Sequence, residues 1–141
     1  MIKNALSLLM ASVFFSSVVA QDIVGKWKTI DHETGKAKSI VEIYEQGNKY
    51  YGKVIDIINP DKRHALCEEC EGKDKDKPIL GLVIITDMVK DEDVYEDGKV
   101  LNPDNGETYR CRLKLQDDPD TLQVRGYLAF FYKTQYWKRI K

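Results

Sequence analysis

The sequence predicts an all-β domain, a closed antiparallel barrel of about eight strands in sequential order. Three observations carry that prediction. Segments rich in β-branched and aromatic residues recur between turn signals, and the cleanest of them alternates strictly: Tyr109, Cys111, Leu113 and Leu115 on one face, Arg110, Arg112 and Lys114 on the other. No amphipathic helical period of useful length follows the first twenty residues. The turns are short, so successive strands pair with one another, and a sheet of this size must dispose of its edges, which closure does completely. An open sandwich is the alternative. A barrel of eight strands is either filled by side chains or holds one small ligand.

The elements follow in order. Ile23, Gly25, Trp27 and Thr29 share one parity in the first strand, with Lys26 and Lys28 on the other. A polar turn ends at Gly35. Residues 38–45 form the second strand, and Gln46-Gly47-Asn48 signals a tight hairpin. Residues 49–58 form the third, with Gly52 a bend or bulge. Residues 61–77 are a long, densely charged loop that cannot bury enough apolar area to order itself. The fourth strand, 79–88, is apolar at both parities, which implies burial on both sides, as for a barrel wall packed under that loop. Residues 94–101 form a shorter strand with a turn at Asp97-Gly98, and Asn102-Pro103-Asp104-Asn105-Gly106 is a strong turn. Residues 108–115, 121–130 and 133–140 are the last three strands.

Residues 1–20 read as a cleaved export signal. Lys3 supplies the positive start, residues 5–15 the apolar stretch, and Val18-Val19-Ala20 the small residues before a cut at Gln21. A membrane anchor needs roughly 20 apolar residues, and Ser7, Ser12, Ser16 and Ser17 interrupt this run. The expected location is therefore the periplasm or the extracellular space. The residue directly after the cut is Gln21 rather than Cys, which argues against a lipid anchor, and no later stretch is long enough to span a bilayer. Removing residues 1–20 from the 141 leaves 121, a single domain at 21–141 large enough to bury a core. The formal net charge of −1 becomes −2 with the loss of Lys3. So small a net charge gives no general basic field, and nucleic acid is not an expected partner.

Gly25-Lys26-Trp27 resembles the Gly-x-Trp signature of calycin barrels, the lipocalin-like superfamily. That resemblance implies a Trp packed across one barrel end against a basic residue of the last strand, here Lys138 or Arg139. Further segments follow one another in order: Tyr50-Tyr51-Gly52-Lys53-Val54, Lys77-Pro78-Ile79-Leu80-Gly81-Leu82, Gly98 to Pro103, Gly106 to Tyr109, Leu122 to Tyr127 and Thr134 to Trp137. Together they resemble the bacterial domain of unknown function 2147, a family of small exported proteins. The resemblance implies an up-and-down lipocalin-like barrel and no known activity. The chain departs from the family pattern at Phe131-Tyr132-Lys133, where relatives carry Leu-Gly-Arg.

Cys67-Glu68-Glu69-Cys70 holds the only motif with possible chemistry, and three readings stand. A structural disulfide suits an oxidising envelope and would knot the charged loop, leaving Cys111 as a buried thiol. A redox pair needs a stabilised thiolate, which Glu68, Glu69 and Glu71 disfavour. A metal site would use His64, Cys67 and Cys70, one ligand short of the four that zinc takes. Acid–base and nucleophilic chemistry lack candidates: His32 and His64 are the only histidines and neither has a serine partner. The carboxylates lie in turns; Asn102 to Glu107 lacks the full ligand run of a calcium loop, and no Gly-rich phosphate loop is present.

No catalytic residue and no cofactor is expected. The leading expectation is a non-enzymatic barrel binding a small, partly apolar ligand, with Trp27, Tyr109, Arg125, Gln135 and Trp137 as candidate contacts. Parity places Arg125 with Gln123 and Tyr127, toward solvent. The alternatives are an interaction module with a filled barrel and a disulfide-knotted loop, or metal or redox work at Cys67 and Cys70. Oligomeric state is not legible.

Overall fold

The computed structural model describes residues 11–14, 22–31 and 33–141. The expected export signal, apart from 11–14, and His32 lie outside the described residues. Eight strands close into one antiparallel barrel in sequence order: β1 (Gly25–Ile30), β2 (Ala37–Gln46), β3 (Lys49–Ile57), β4 (Val83–Asp91), β5 (Val94–Leu101), β6 (Thr108–Leu115), β7 (Thr121–Leu128) and β8 (Phe131–Arg139). The seam is a short β1–β8 pairing, Trp27 opposite Arg139 and Lys28 opposite Lys138. No described helix is long and apolar enough to cross a membrane.

Alternation sorts the side chains. Val41 and Ile43, Leu113 and Cys111, Leu122 and Val124 point inward and are buried. Their odd-or-even neighbours Arg110, Arg112 and Arg125 stand on the outer face, paired across β6–β7 as Arg112 opposite Arg125. The β2–β3 hairpin turns at Gly47 and Asn48, both at positive φ, +60° and +63°, as a two-residue turn matched to strand twist requires.

The fourth strand starts later than the sequence suggests, at Val83 rather than residue 79. Pro78 has no amide proton to give a ladder, and Gly81 turns the chain at φ +93°. Residues 79–82 therefore fold over the barrel wall, and β4 is buried on both sides: Ile85 is 0 % and Ile84 7 % exposed, as its unbroken apolar run implied. Asp97-Gly98 does not turn the chain. Asp97 takes φ +67° within a bulge between Tyr95 and Gly98, and β5 continues. The last hairpin turns at Ala129 and Phe130, with Ala129 at φ +52°, two residues before the expected end of that strand.

The chain enters at one end of the barrel and seals it. Ile23 is fully buried there, Tyr95 Oη donates to Asp22 Oδ1 at 3.2 Å, and Trp27 Nε1 donates to the Ile23 carbonyl at 2.8 Å. The Arg139 guanidinium lies over the Trp27 ring, 4.3 Å from its centroid, and donates to the Asp22 carbonyl at 2.7 Å. Arg139, not Lys138, is thus the basic partner of the Gly-x-Trp tryptophan. A Cβ on Gly25 would stand 3.0 Å from Arg139 Nη1, and its φ is +141°, so the glycine of that signature is what admits the arginine. The opposite end carries residues 58–82, the 102–107 turn and the β7–β8 turn.

Candidate functional site

Cys67 and Cys70 form a disulfide. It sits inside a set of backbone bonds: Cys67 N donates to the Lys77 carbonyl at 2.7 Å, Asp76 N donates to the Cys67 carbonyl at 3.0 Å, and Leu66 bridges Pro78. The knot leans on the 102–107 turn. A Cβ on Gly106 would stand 1.8 Å from the Glu69 carbonyl oxygen, so only glycine allows this contact. The charged loop is therefore held by backbone bonds and by the disulfide, whose two half-cystines are buried in the core.

The disulfide occupies both sulfurs that the metal alternative needs as thiolates, while His64 is exposed. Cys67 is 0 % and Cys70 2 % exposed, so an incoming thiolate has no access to either sulfur. Cys111 is free and buried, and burial pushes its thiol up to about 12. At neutral pH it is an inert apolar side chain.

Below the knot, residues 73–82 overhang the outer face of β2–β5 and leave an open groove of about 970 Å³. Its floor carries Ile84, Leu82, Leu101 and the stacked pair Tyr44–Tyr51, ring centroids 5.7 Å apart. Lys73, Lys77 and Lys99 edge it, along with Asp74, Asp87 and Asp97. Lys77 is within 3.9 Å of Asp74, and Tyr51 Oη donates to Asp87 Oδ1 at 3.1 Å; that bond raises the Tyr51 hydroxyl pKa.

The five candidate contacts do not gather in one place. Trp27 is sealed at the entry end, 0 % exposed. Trp137 is buried inside, its Nε1 donating to Gln135 Oε1 at 3.1 Å. Tyr109 and Gln135 are half-buried toward the far end, with Tyr109 Oη donating to Glu107 Oε2 at 2.6 Å. Arg125 stands on the outer wall, donating to Thr134 Oγ1 at 2.8 Å and covering the Tyr132 ring at 4.7 Å. Between them the inward side chains Val41, Ile43, Ile85, Met88, Leu113 and Leu122 are fully buried. A Cβ on Gly98 would stand 2.4 Å from Met88 Sδ, and one on Gly52 would stand 3.0 Å from Ile85 Cβ.

The groove residues Tyr44, Tyr51 and Leu80 went unnoticed in the sequence. A signal existed: counting back from Gly47-Asn48 pairs Tyr44 with Tyr51 on one face, and the doubly apolar β4 said that this outer face was covered.

A family model described as "Uncharacterized protein conserved in bacteria (DUF2147)" matches residues 25–139. The chain belongs to this family. The match spans the barrel from its first strand to its last. Protein HP1028 from the human pathogen Helicobacter pylori, described as belonging to the lipocalin family, superposes with a TM-score of 0.75 at 23 % identity, over 86 % of this chain and 85 % of that one. At that identity the likeness shows the fold, a lipocalin-like barrel. No curated protein matches the chain.

Proposed function

We propose that this DUF2147 protein is a non-enzymatic binding protein of the periplasm or extracellular space, taking a small, partly apolar ligand in the groove under residues 73–82. One observation carries the reading: an apolar and aromatic floor, edged by three lysines and three aspartates, lies open beside a loop fixed by a disulfide. A few polar groups around an apolar surface are what a small-molecule site needs. The lipocalin-like fold supports a ligand-binding class, and the leader-like residues 1–20 support export. The buried thiol and the absence of a paired histidine in the sequence support a binding role over a catalytic one.

Native mass spectrometry of the protein taken from its cells tests this, followed by titration with the apolar anion anilinonaphthalene sulfonate. The expected result is a small-molecule adduct, with dye binding lost in Tyr51→Ala and Leu80→Ser and kept in Tyr109→Ala and Gln135→Ala. The reverse pattern would move the site to the barrel mouth. The fully buried inward side chains Val41, Ile43, Ile85, Met88, Leu113 and Leu122 favour a second reading, an interaction module with a filled barrel. Neither adduct nor dye binding is the outcome that reading expects.

A further inference from the structure

The formal charge of −1 over the whole chain conceals a strong segregation. Strands β6, β7 and β8 carry seven Lys and Arg residues and no Asp or Glu. On their outer face the register aligns Arg110 with Tyr127 and Tyr127 with Tyr132, then Arg112 with Arg125. Arg112, Lys114 and Arg139 pair with Glu96, Asp93 and Asp120, whereas Arg110 and Arg125 on this face have no carboxylate partner among the described residues, nor has Lys133, which takes the parity of Trp137 and stands exposed at the barrel mouth beside the hairpin. The acid at this end of the wall, Glu107, is engaged by Tyr109.

The hairpin that ends this wall is apolar and bare. Phe130 is 97 % exposed, Phe131 78 %, Tyr132 60 % and Leu128 47 %. Leu128 and Phe131 pair across the hairpin and Phe130 caps its turn, which makes an exposed apolar tip of the kind that marks a contact surface, while Tyr132 stands on the other face against Arg125. Near-complete exposure of Phe130 means that the patch projects outward and lines no groove.

We infer that the β7–β8 turn is a membrane-docking tip, which sets Phe130 and Phe131 into the interface of an anionic lipid bilayer while Arg110, Arg125 and Lys133 meet its phosphates. A projecting apolar tip backed by unpaired cations is complementary to a lipid surface in both layers, apolar below and anionic above. A nucleic acid fits less well. The Tyr127 and Tyr132 rings that would stack on bases each have a face taken, by Arg110 at 5.1 Å and Arg125 at 4.7 Å, and a Leu-Phe-Phe tip has no counterpart on a polyanion. Docking of this kind rests on the surface and requires no spanning segment.

Cosedimentation with vesicles of equimolar phosphatidylglycerol and phosphatidylcholine tests the proposal, with pure phosphatidylcholine as reference. Binding should favour the anionic vesicles and weaken with salt. Phe130→Ser with Phe131→Ser should lower partition by roughly tenfold or more, and each of Arg125→Gln and Lys133→Gln by about fivefold. Phe130→Trp should shift its emission to the blue on vesicle addition, since Trp27 and Trp137 are already buried. Thermal melts confirm that the variants fold. Equal binding by the Ser variant, or no shift for the Trp variant, overturns the proposal. So does single-stranded DNA binding of equal strength that survives loss of both phenylalanines. Concentration-dependent self-association that those substitutions abolish, without vesicle binding, assigns the tip to a second copy of the chain and overturns it as well.

Discussion

The two ends of the barrel are built on opposite terms. At the entry end apolar surface is removed from water and the polar groups there are engaged: Ile23 and Trp27 are fully buried, Arg139 reaches the carbonyls of Asp22 and Val24, and its Nε lies 3.4 Å from Asp120 Oδ1. That last contact is an ion pair without hydrogen-bond alignment, since Nε has no hydrogen-bond partner. At the far end the largest apolar side chains face solvent, and the long loop is kept in shape by a disulfide and backbone bonds. The difference separates two uses of the same residue types. Aromatics at the sealed end hold the fold, and aromatics at the far end are free for contact.

Trp27→Ala tests the sealed end and should have the largest effect. Removing a fully buried Trp costs about 3–5 kcal/mol and also leaves Arg139 without its aromatic partner. A denaturant titration should show a matching drop in midpoint. A loss below about 1 kcal/mol, the size of an exposed cation–π contact, would mean that this end is not the fold's anchor.

Cys111 lies between the two ends, and alkaline pH probes whether the interior there is sealed. Its pKa rises from 9.0 to about 12 through burial. The folded state thus holds a neutral thiol that the unfolded chain would ionise. The stability this contributes is full below pH 9 and is lost as pH rises toward 12, at most about 4 kcal/mol at roughly 1.4 per unit. Tyr95, whose hydroxyl pKa is raised by burial and by Asp22, adds to the loss above pH 10 with the same sign. Unfolding free energy measured between pH 8 and 10.5 should fall, and Cys111→Ala should flatten the first part of that fall. An unchanged slope in the variant would show that the thiol is open to solvent.

Cys67→Ser with Cys70→Ser tests the far end. Closing so short a loop contributes about 2 kcal/mol in the chain-entropy model. The effect should be local: residues 58–82 should gain amide exchange while the β6–β8 ladder keeps its protection. A global loss as large as that of Trp27→Ala would erase the contrast between the ends.

Much of this contrast was legible in the sequence. Alternation in β6, the Gly-Asn turn and the Gly-x-Trp signature gave the barrel and its sealed end, and the double apolar parity of β4 announced a covering loop. The groove was harder to see, since it is made by residues from β2, β3, β5 and the loop that only the barrel's register brings together. The candidate contacts were picked as polar and aromatic residues on the late strands. Local pattern does not tell which barrel level each occupies, and Trp27 and Tyr109 belong to opposite ends. The charge segregation was hidden for the same reason. Arg112 and Arg125 are neighbours only across the β6–β7 register, so a chain that reads as evenly mixed gathers Arg110, Arg112 and Arg125 on one wall.

The smallest expected stability effect belongs to the β7–β8 tip. Phe130→Ser with Phe131→Ser should change unfolding free energy by no more than about 0.5 kcal/mol, because side chains that remain in water when folded gain nothing from folding. The β7–β8 register is held elsewhere, by the seven paired positions from Thr121 opposite Lys138 to Tyr127 opposite Tyr132. A melt that moves by several degrees would show that the phenylalanines pack in solution against a surface they do not touch here, and the far end would then be built like the sealed one. An unmoved melt leaves the pair with no part in holding the barrel together. Two adjacent phenylalanines that do not hold the fold, backed by unpaired arginines, are then accounted for by an outside surface that is itself apolar and anionic.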